Sequence, residues 1–270
     1  MPVKIAEIPY LNCAPFYWRR EAFGDCEWVS ASPRELGRKA ARGGLDAGPL
    51  SLVDSFALAE DFEPLGNFGI ASGGKARSVL FFSRVPWEEL GGLTVGLTPD
   101  SATSSELLKL ILSEWKRARP AYREGIRNGD SAWLLIGDAA LKAARAPGIG
   151  SLYPHVYDLG EEWRKWQGLP FVFARWLAGK RLDRSVKGRL ASALAGNLEG
   201  AGRDFGPALD WFEKSAGWAE PGGRDYLAGF TYRLGRPEER SISLFRDIMK
   251  KSLVGRAPRL VSPHPAALTL

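Results

Sequence analysis

The chain has 270 residues, 45% of them hydrophobic and 25% charged, the balance of a globular protein long enough for one large domain or two small ones. Its net charge of +6 comes from 37 basic against 31 acidic residues, dispersed as in Arg19-Arg20, Lys116-Arg117 and Lys250-Lys251. Without a basic stripe, a small anionic ligand is the expected partner and nucleic acid is not.

The opening Met1-Pro2-Val3-Lys4-Ile5 runs straight into a strand pattern, with no apolar region of the secretory kind. No apolar run approaches the roughly 20 residues a bilayer span needs, so a cytoplasmic protein without membrane contact is expected. The two cysteines, Cys13 and Cys26, and the two histidines, His155 and His264, lack metal-type spacing. That argues against a zinc site or a Cys-His nucleophile and leaves reduced thiols expected.

In chain order, residues 3–9 read as a first strand ending at Tyr10-Leu11-Asn12, and Pro15 suits the first turn of a short helix through Trp18. A strand at 27–30 leads to Ser32-Pro33-Arg34-Glu35, a serine cap, proline and glutamate that start a helix running to about Arg42 and stopping at Gly43-Gly44. Residues 45–51 form a strand that ends in a further helix start at Ser51. Ile70–Ser72 lead to Gly73-Gly74, and 76–83 is a buried strand. The pattern then restarts with a strand at 93–97, a helix over about 102–117 and a strand at 131–136. A helix follows to about Arg145, then a short strand at 155–159, a helix at 161–167 and a strand-like run at 169–176. From Leu182 onward the chain reads as helical without a strand, ending in a Pro258, Pro263 and Pro265 tail read as irregular.

Alternating strands and helices predict an α/β architecture with largely parallel sheets in two lobes, the helical C-terminal part covering the first. The expected boundaries are 1–88 plus 177–270 for lobe one and 89–176 for lobe two, with crossings near 85–92 and 172–180. A ligand cleft should lie between the lobes at the carboxyl ends of strands.

That rule gives the candidate lining: Asn12, Ser51, Gly73-Gly74, Ser78, Thr103-Ser104 and Asp138. The stretch Asp100–Leu108 is the richest. Thr103 with Glu106 matches a capping box, Ser101 offers an earlier cap, and Leu107, Leu108, Ile111, Leu112 and Trp115 mark the apolar face behind it. A hydroxyl-rich helix start offers free N–H groups and a positive dipole end to a carboxylate or phosphate. Each candidate also has a local reading: Asn12 and Asp138 as turn formers or caps, Ser51 with Asp54 as a helix start, Gly73-Gly74 as a loop. Together, uncharged donors without a histidine, cysteine or carboxylate pair describe a site that positions an anion.

Several of these segments, in order and spacing, resemble one family. They are Tyr10-Leu11-Asn12, residues 45–51, Arg77-Ser78-Val79, Thr103-Ser104-Ser105, residues 134–141, and Asp158-Leu159-Gly160 through Trp163 to 168–174. The set is similar to the menaquinone-biosynthesis family of chorismate dehydratases over about residues 3–176. The resemblance implies a type II periplasmic-binding-protein-like fold and a cofactor-free lyase. Its substrate would be the dianion chorismate, dehydrated to 3-(1-carboxyvinyloxy)benzoate on the futalosine route to menaquinone. It implies that Asn12 and Ser78 are active-site residues and that Ala102, Thr103 and Ser104 receive a substrate carboxylate; their places at strand ends add Ser51 and Asp138 as expected substrate contacts. Cys13 departs from the threonine or small apolar residue expected after the asparagine, and is expected at the rim of the site. The base is left between Asp138 and a carboxylate of the substrate. Two rivals share the fold: a cytoplasmic small-anion sensor, and the sister 1,4-dihydroxy-6-naphthoate synthase, which should bring a histidine base that His155, placed before a strand, does not obviously supply.

Overall fold

The computed structural model describes residues 2–127 and 129–256, so His264 and the proline-rich tail with Pro258, Pro263 and Pro265 lie outside the described residues. The strands, in chain order, are β1 (Val3–Glu7), β2 (Cys26–Ser30), β3 (Ala47–Ser51), β4 (Phe62–Ser72), β5 (Val79–Ser83), β6 (Thr94–Leu97), β7 (Ala121–Glu124), β8 (Ala132–Ile136), β9 (His155–Asp158), β10 (Phe171–Gly179) and β11 (Phe230–Arg233). They form two sheets, β11-β4-β10-β3-β1-β2 and β7-β6-β8-β5-β9, each the centre of one lobe.

Both sheets are mixed rather than largely parallel. β1 runs parallel to β2 and β3, but β10 returns from the second lobe in the opposite direction and pairs antiparallel with β3 and β4. In the second sheet β6 is parallel to β7 and β8, while β5 is antiparallel to β8 and β9.

This pairing moves the crossings. β5 belongs to the second sheet and β10 to the first, so the chain passes between sheets over 73–78 and 168–170 rather than near 85–92 and 172–180. Both strands are buried on each face (Phe81 and Phe82, Phe171 and Trp176), and an apolar run carries no mark of which sheet it joins.

Helix starts follow local chemistry. Ser32 Oγ accepts the Glu35 N–H at 3.4 Å behind Pro33, as expected, and Ser51 Oγ accepts the Asp54 N–H at 3.1 Å. Asp158 accepts the N–H groups of Gly160 and Glu161 to open the helix Leu159–Gln167, which closes on Gly168 at φ +71°.

From Leu182 onward the chain is largely helical as expected, with helices Arg184–Arg203, Gly206–Ala216, Gly223–Ala228 and Arg236–Arg256, but against the expectation of no strand it breaks at Gly229 into edge strand β11. Asn197 fixes this part to lobe one: its Nδ2 donates to Phe16 O at 2.8 Å and its backbone carbonyl accepts from Trp18 Nε1 at 3.1 Å. Trp176 lies beneath, fully buried with Phe16 edge-on at 5.5 Å and Phe23 stacked at 6.3 Å.

Candidate active site

A cleft opens between the two sheets. Lobe one contributes Ile8, Tyr10, Asn12, Cys13, Ser51, Ile70, Phe173 and Ala174; lobe two contributes Ser78, Val79, Ser101 to Ser104, Ile136 and Gly137. The expected Asn12, Ser51, Ser78, Ala102, Thr103 and Ser104 therefore share one cavity. Among the described residues its lining holds no charged side chain and no histidine. His155 opens β9 at the far edge of the second sheet, and Gly73-Gly74 lie in the interlobe crossing.

Asn12 sits in the turn Leu11–Cys13 that follows β1. Burial pushes the Cys13 thiol well above its ordinary value, with Asp138 adding to the shift, so it keeps its proton. Cys13 Sγ then donates to Asn12 Oδ1 at 3.5 Å. With the amide oxygen turned to the thiol, Nδ2 is the end that can serve a ligand.

Ser78 is fully buried at the start of the second lobe. Its carbonyl accepts the Gly137 N–H at 2.8 Å, and its hydroxyl accepts from Tyr226 Oη at 2.7 Å. The preceding Arg77 has φ +62°, a left-handed conformation that a non-glycine residue holds only when its surroundings compel it. Asp158 supplies that constraint by accepting the Ala76 and Arg77 N–H groups at 2.9 and 2.6 Å.

The hydroxyl-rich helix begins at Thr103, but the Thr103–Glu106 capping box does not form. Ser101 Oγ caps instead, accepting the Ser104 N–H at 3.0 Å, and the Glu106 N–H bonds to Ala102 O. Thr103 is diverted across the lobes: its Oγ1 accepts the Val53 N–H at 3.1 Å. The N–H groups of Ala102 and Thr103 stand ahead of the first helical hydrogen bond, at the positive end of the dipole. The helix continues past Leu110 as a π-helical turn, Ile111–Trp115.

Two expected contacts have other employment. Ser51 donates to Asp54 Oδ2 at 2.6 Å while accepting its N–H, so this hydroxyl is spent on the helix Leu52–Ala57 although the residue walls the cleft. Asp138, expected to touch substrate, is not in the lining. Its Oδ1 accepts the Leu11 N–H at 3.0 Å across the lobes, and burial pushes its carboxyl up to about 6 against that hydrogen bond and Lys142. Beside it Gly137, at φ +60°, meets the Tyr10 ring so closely that an added Cβ would lie 2.6 Å from it.

The menaquinone-biosynthesis family profile matches residues 3–251. The chain belongs to that family. A chorismate dehydratase from Thermus thermophilus is 33% identical over 262 residues, covering 89% of this chain and 92% of its own length. Among solved structures, a protein from Archaeoglobus fulgidus superposes with a TM-score of 0.74 at 15% identity, over 94% of this chain and 98% of that one. The alkanesulfonate-binding protein of Xanthomonas axonopodis pv. citri, bound to MOPS, gives 0.64 at 13% identity, over 94% and 93%. These likenesses establish the two-lobed periplasmic-binding-protein-like fold.

Next to the family cleft, and sharing Ser101 and Ala102 with it, lies a groove bearing Arg34, Arg38, Lys109 and Arg123 against Asp54, Glu106 and Glu124. Its charges are largely paired, Arg34 with Glu124, Lys109 with Glu106 and Arg123 with Asp130. Among the described residues no helix is long and apolar enough to cross a membrane, and no three His, Cys, Asp or Glu side chains converge as a metal-binding group. Sequence reasoning missed Tyr226, which reaches Ser78 over 148 residues of separation with no local signal, and the apolar walls Phe173 and Ile70.

Proposed function

We propose that this hydro-lyase removes water from chorismate to give 3-(1-carboxyvinyloxy)benzoate for menaquinone biosynthesis, without a cofactor and in the cytoplasm. The observation that carries the reading is the pairing, in one uncharged cleft, of donors from opposite lobes: Asn12 from the first, Ser78 and the 102–104 helix start from the second. The 33% identical dehydratase supports the choice of substrate, and two unpaired cysteines suit a reducing compartment.

In this reading the N–H groups of Ala102 and Thr103, with the hydroxyls of Thr103 and Ser104, hold one carboxylate. Thr103 Oγ1 already accepts from Val53, which leaves its hydrogen for the ligand. The ether-bearing ring carbon loses its proton, and the neighbouring carbon loses hydroxide; together they make one water. The other substrate carboxylate takes the proton, since the described lining offers no side-chain base and Asp138 is bound to Leu11. Ser78 donates to the departing hydroxyl, and Asn12 Nδ2 to the charge that develops. Aromatisation supplies driving force, so positioning matters more than base strength.

Incubation of the purified protein with chorismate tests this directly. An aromatic absorbance and a product lighter by one water are expected. Thermal stabilisation by chorismate without any product would instead mark an anion sensor.

A further inference from the structure

Ser78 does not act alone in this cleft. Tyr226 Oη donates to its Oγ at 2.7 Å from the helix Gly223–Ala228 of the C-terminal part. The phenol is fixed: Tyr226 is fully buried, Phe230 meets its ring edge-on at 5.2 Å, and the Arg77 guanidinium lies 5.8 Å from its centroid. A buried phenol must place its proton on an acceptor, and Ser78 Oγ is the acceptor at hydrogen-bond distance.

A serine hydroxyl has one hydrogen and can present either that hydrogen or a lone pair to a ligand. With one lone pair taken by Tyr226, the internal alternative for the hydrogen is Ala76 O at 3.4 Å, a long contact that a substrate oxygen displaces readily. We propose, building on the dehydratase reading, that Tyr226 is a positioning residue that holds Ser78 in the donor orientation toward the departing hydroxyl. The bond also polarises the serine, strengthening its donation as negative charge grows on the leaving oxygen. Tyr226 gives up no proton itself. Burial, reinforced by the nearby carboxylate of Asp138, makes its ionisation unfavourable, so the phenol ends the cycle as it began.

Steady-state kinetics of Tyr226→Phe, Ser78→Ala and the double variant with chorismate test this. Tyr226→Phe should lower kcat about tenfold with KM nearly unchanged, the signature of a bond that matters in the transition state. Ser78→Ala should lose more, and the double variant should lose no more than Ser78→Ala, because the phenol acts only through the serine. Wild-type kcat in Tyr226→Phe, or independent losses that multiply in the double variant, overturn the inference while leaving the dehydratase reading intact. Absence of turnover in the wild-type protein removes that reading and the inference with it. Should Tyr226→Phe fail to fold, a fluorotyrosine at 226 retains the phenol with a more acidic proton; kcat should then shift at least about twofold at constant KM, and an unchanged kcat overturns the proposal.

Discussion

The Leu11 N–H donates to Asp138 Oδ1 at 3.0 Å, tying the turn that carries Asn12 in one lobe to the helix that follows β8 in the other. Two parallel ties accompany it, Val53 N–H to Thr103 Oγ1 and Arg34 N–H to Asp100 O at 3.0 Å. The Asp138 tie is the one with a pH dependence. Its carboxyl titrates near 6 in the folded protein against 3.8 for an ordinary aspartate, so between those values the native state holds a proton that the unfolded chain has released. The contribution of this carboxyl to stability should therefore fall as pH rises from 3.8 to about 6, and level off above. Asp54 and Asp158, also shifted up by burial, and the ion-paired Asp46, shifted down, add slopes of their own, so the readout is a difference: in denaturant unfolding across that window, Asp138→Asn should gain stability relative to wild type as pH rises. Equal slopes would place the proton elsewhere.

Asn12→Ala should cost more than about tenfold in kcat, the scale of one lost transition-state donor. Asp138→Asn should cost less, because its amide oxygen still accepts the Leu11 N–H. The reverse ranking in the same assay would make Asp138 the base and dispose of the substrate-carboxylate route.

Thr103→Val should act on binding. It removes a carboxylate donor and strands the Val53 N–H, so KM for chorismate should rise about tenfold while kcat holds within about threefold. Thr103→Ser, which keeps the hydroxyl, should restore KM. Failure of serine to do so would assign the loss to packing of the threonine methyl.

Gly137→Ala combines an unfavourable φ of +60° with a Cβ 2.6 Å from the Tyr10 ring. Gly148, at φ +76° with open space around the added atom, isolates the conformational part. Gly148→Ala should lose about 1 kcal/mol in denaturant unfolding, and Gly137→Ala clearly more. Equal losses would show that Tyr10 yields its place freely.

The shared cleft is readable in the sequence because Asn12, Ser51 and the run from Ser101 to Ser104 follow strand ends, and strand ends in such folds converge on one crevice. Helix starts with strong chemistry, such as Ser32-Pro33, are equally plain. What escapes is set by distant partners. β4 contains Pro64, Gly66 and Gly69 and shows no alternation, yet its pairing with β10 and β11 overrides that weak propensity. β7, Ala121–Glu124, is a short polar edge strand with little to distinguish it from a loop. Thr103 has the right neighbour for a capping box, but Ser101 is better placed to cap and Val53 claims the threonine. No window around Ser78 can announce Tyr226.

Every side chain that walls the cleft lies between Ile8 and Ala174, whereas the phenol on Ser78 arrives with Tyr226. During synthesis the binding cavity is therefore encoded well before the group that tunes it. A chain clipped ahead of Gly223 keeps these cavity walls in its sequence but loses the serine's partner together with edge strand β11 and Phe245, which packs on Phe171 and Trp163, so the C-terminal part serves the core beneath the cleft as well as the serine in it.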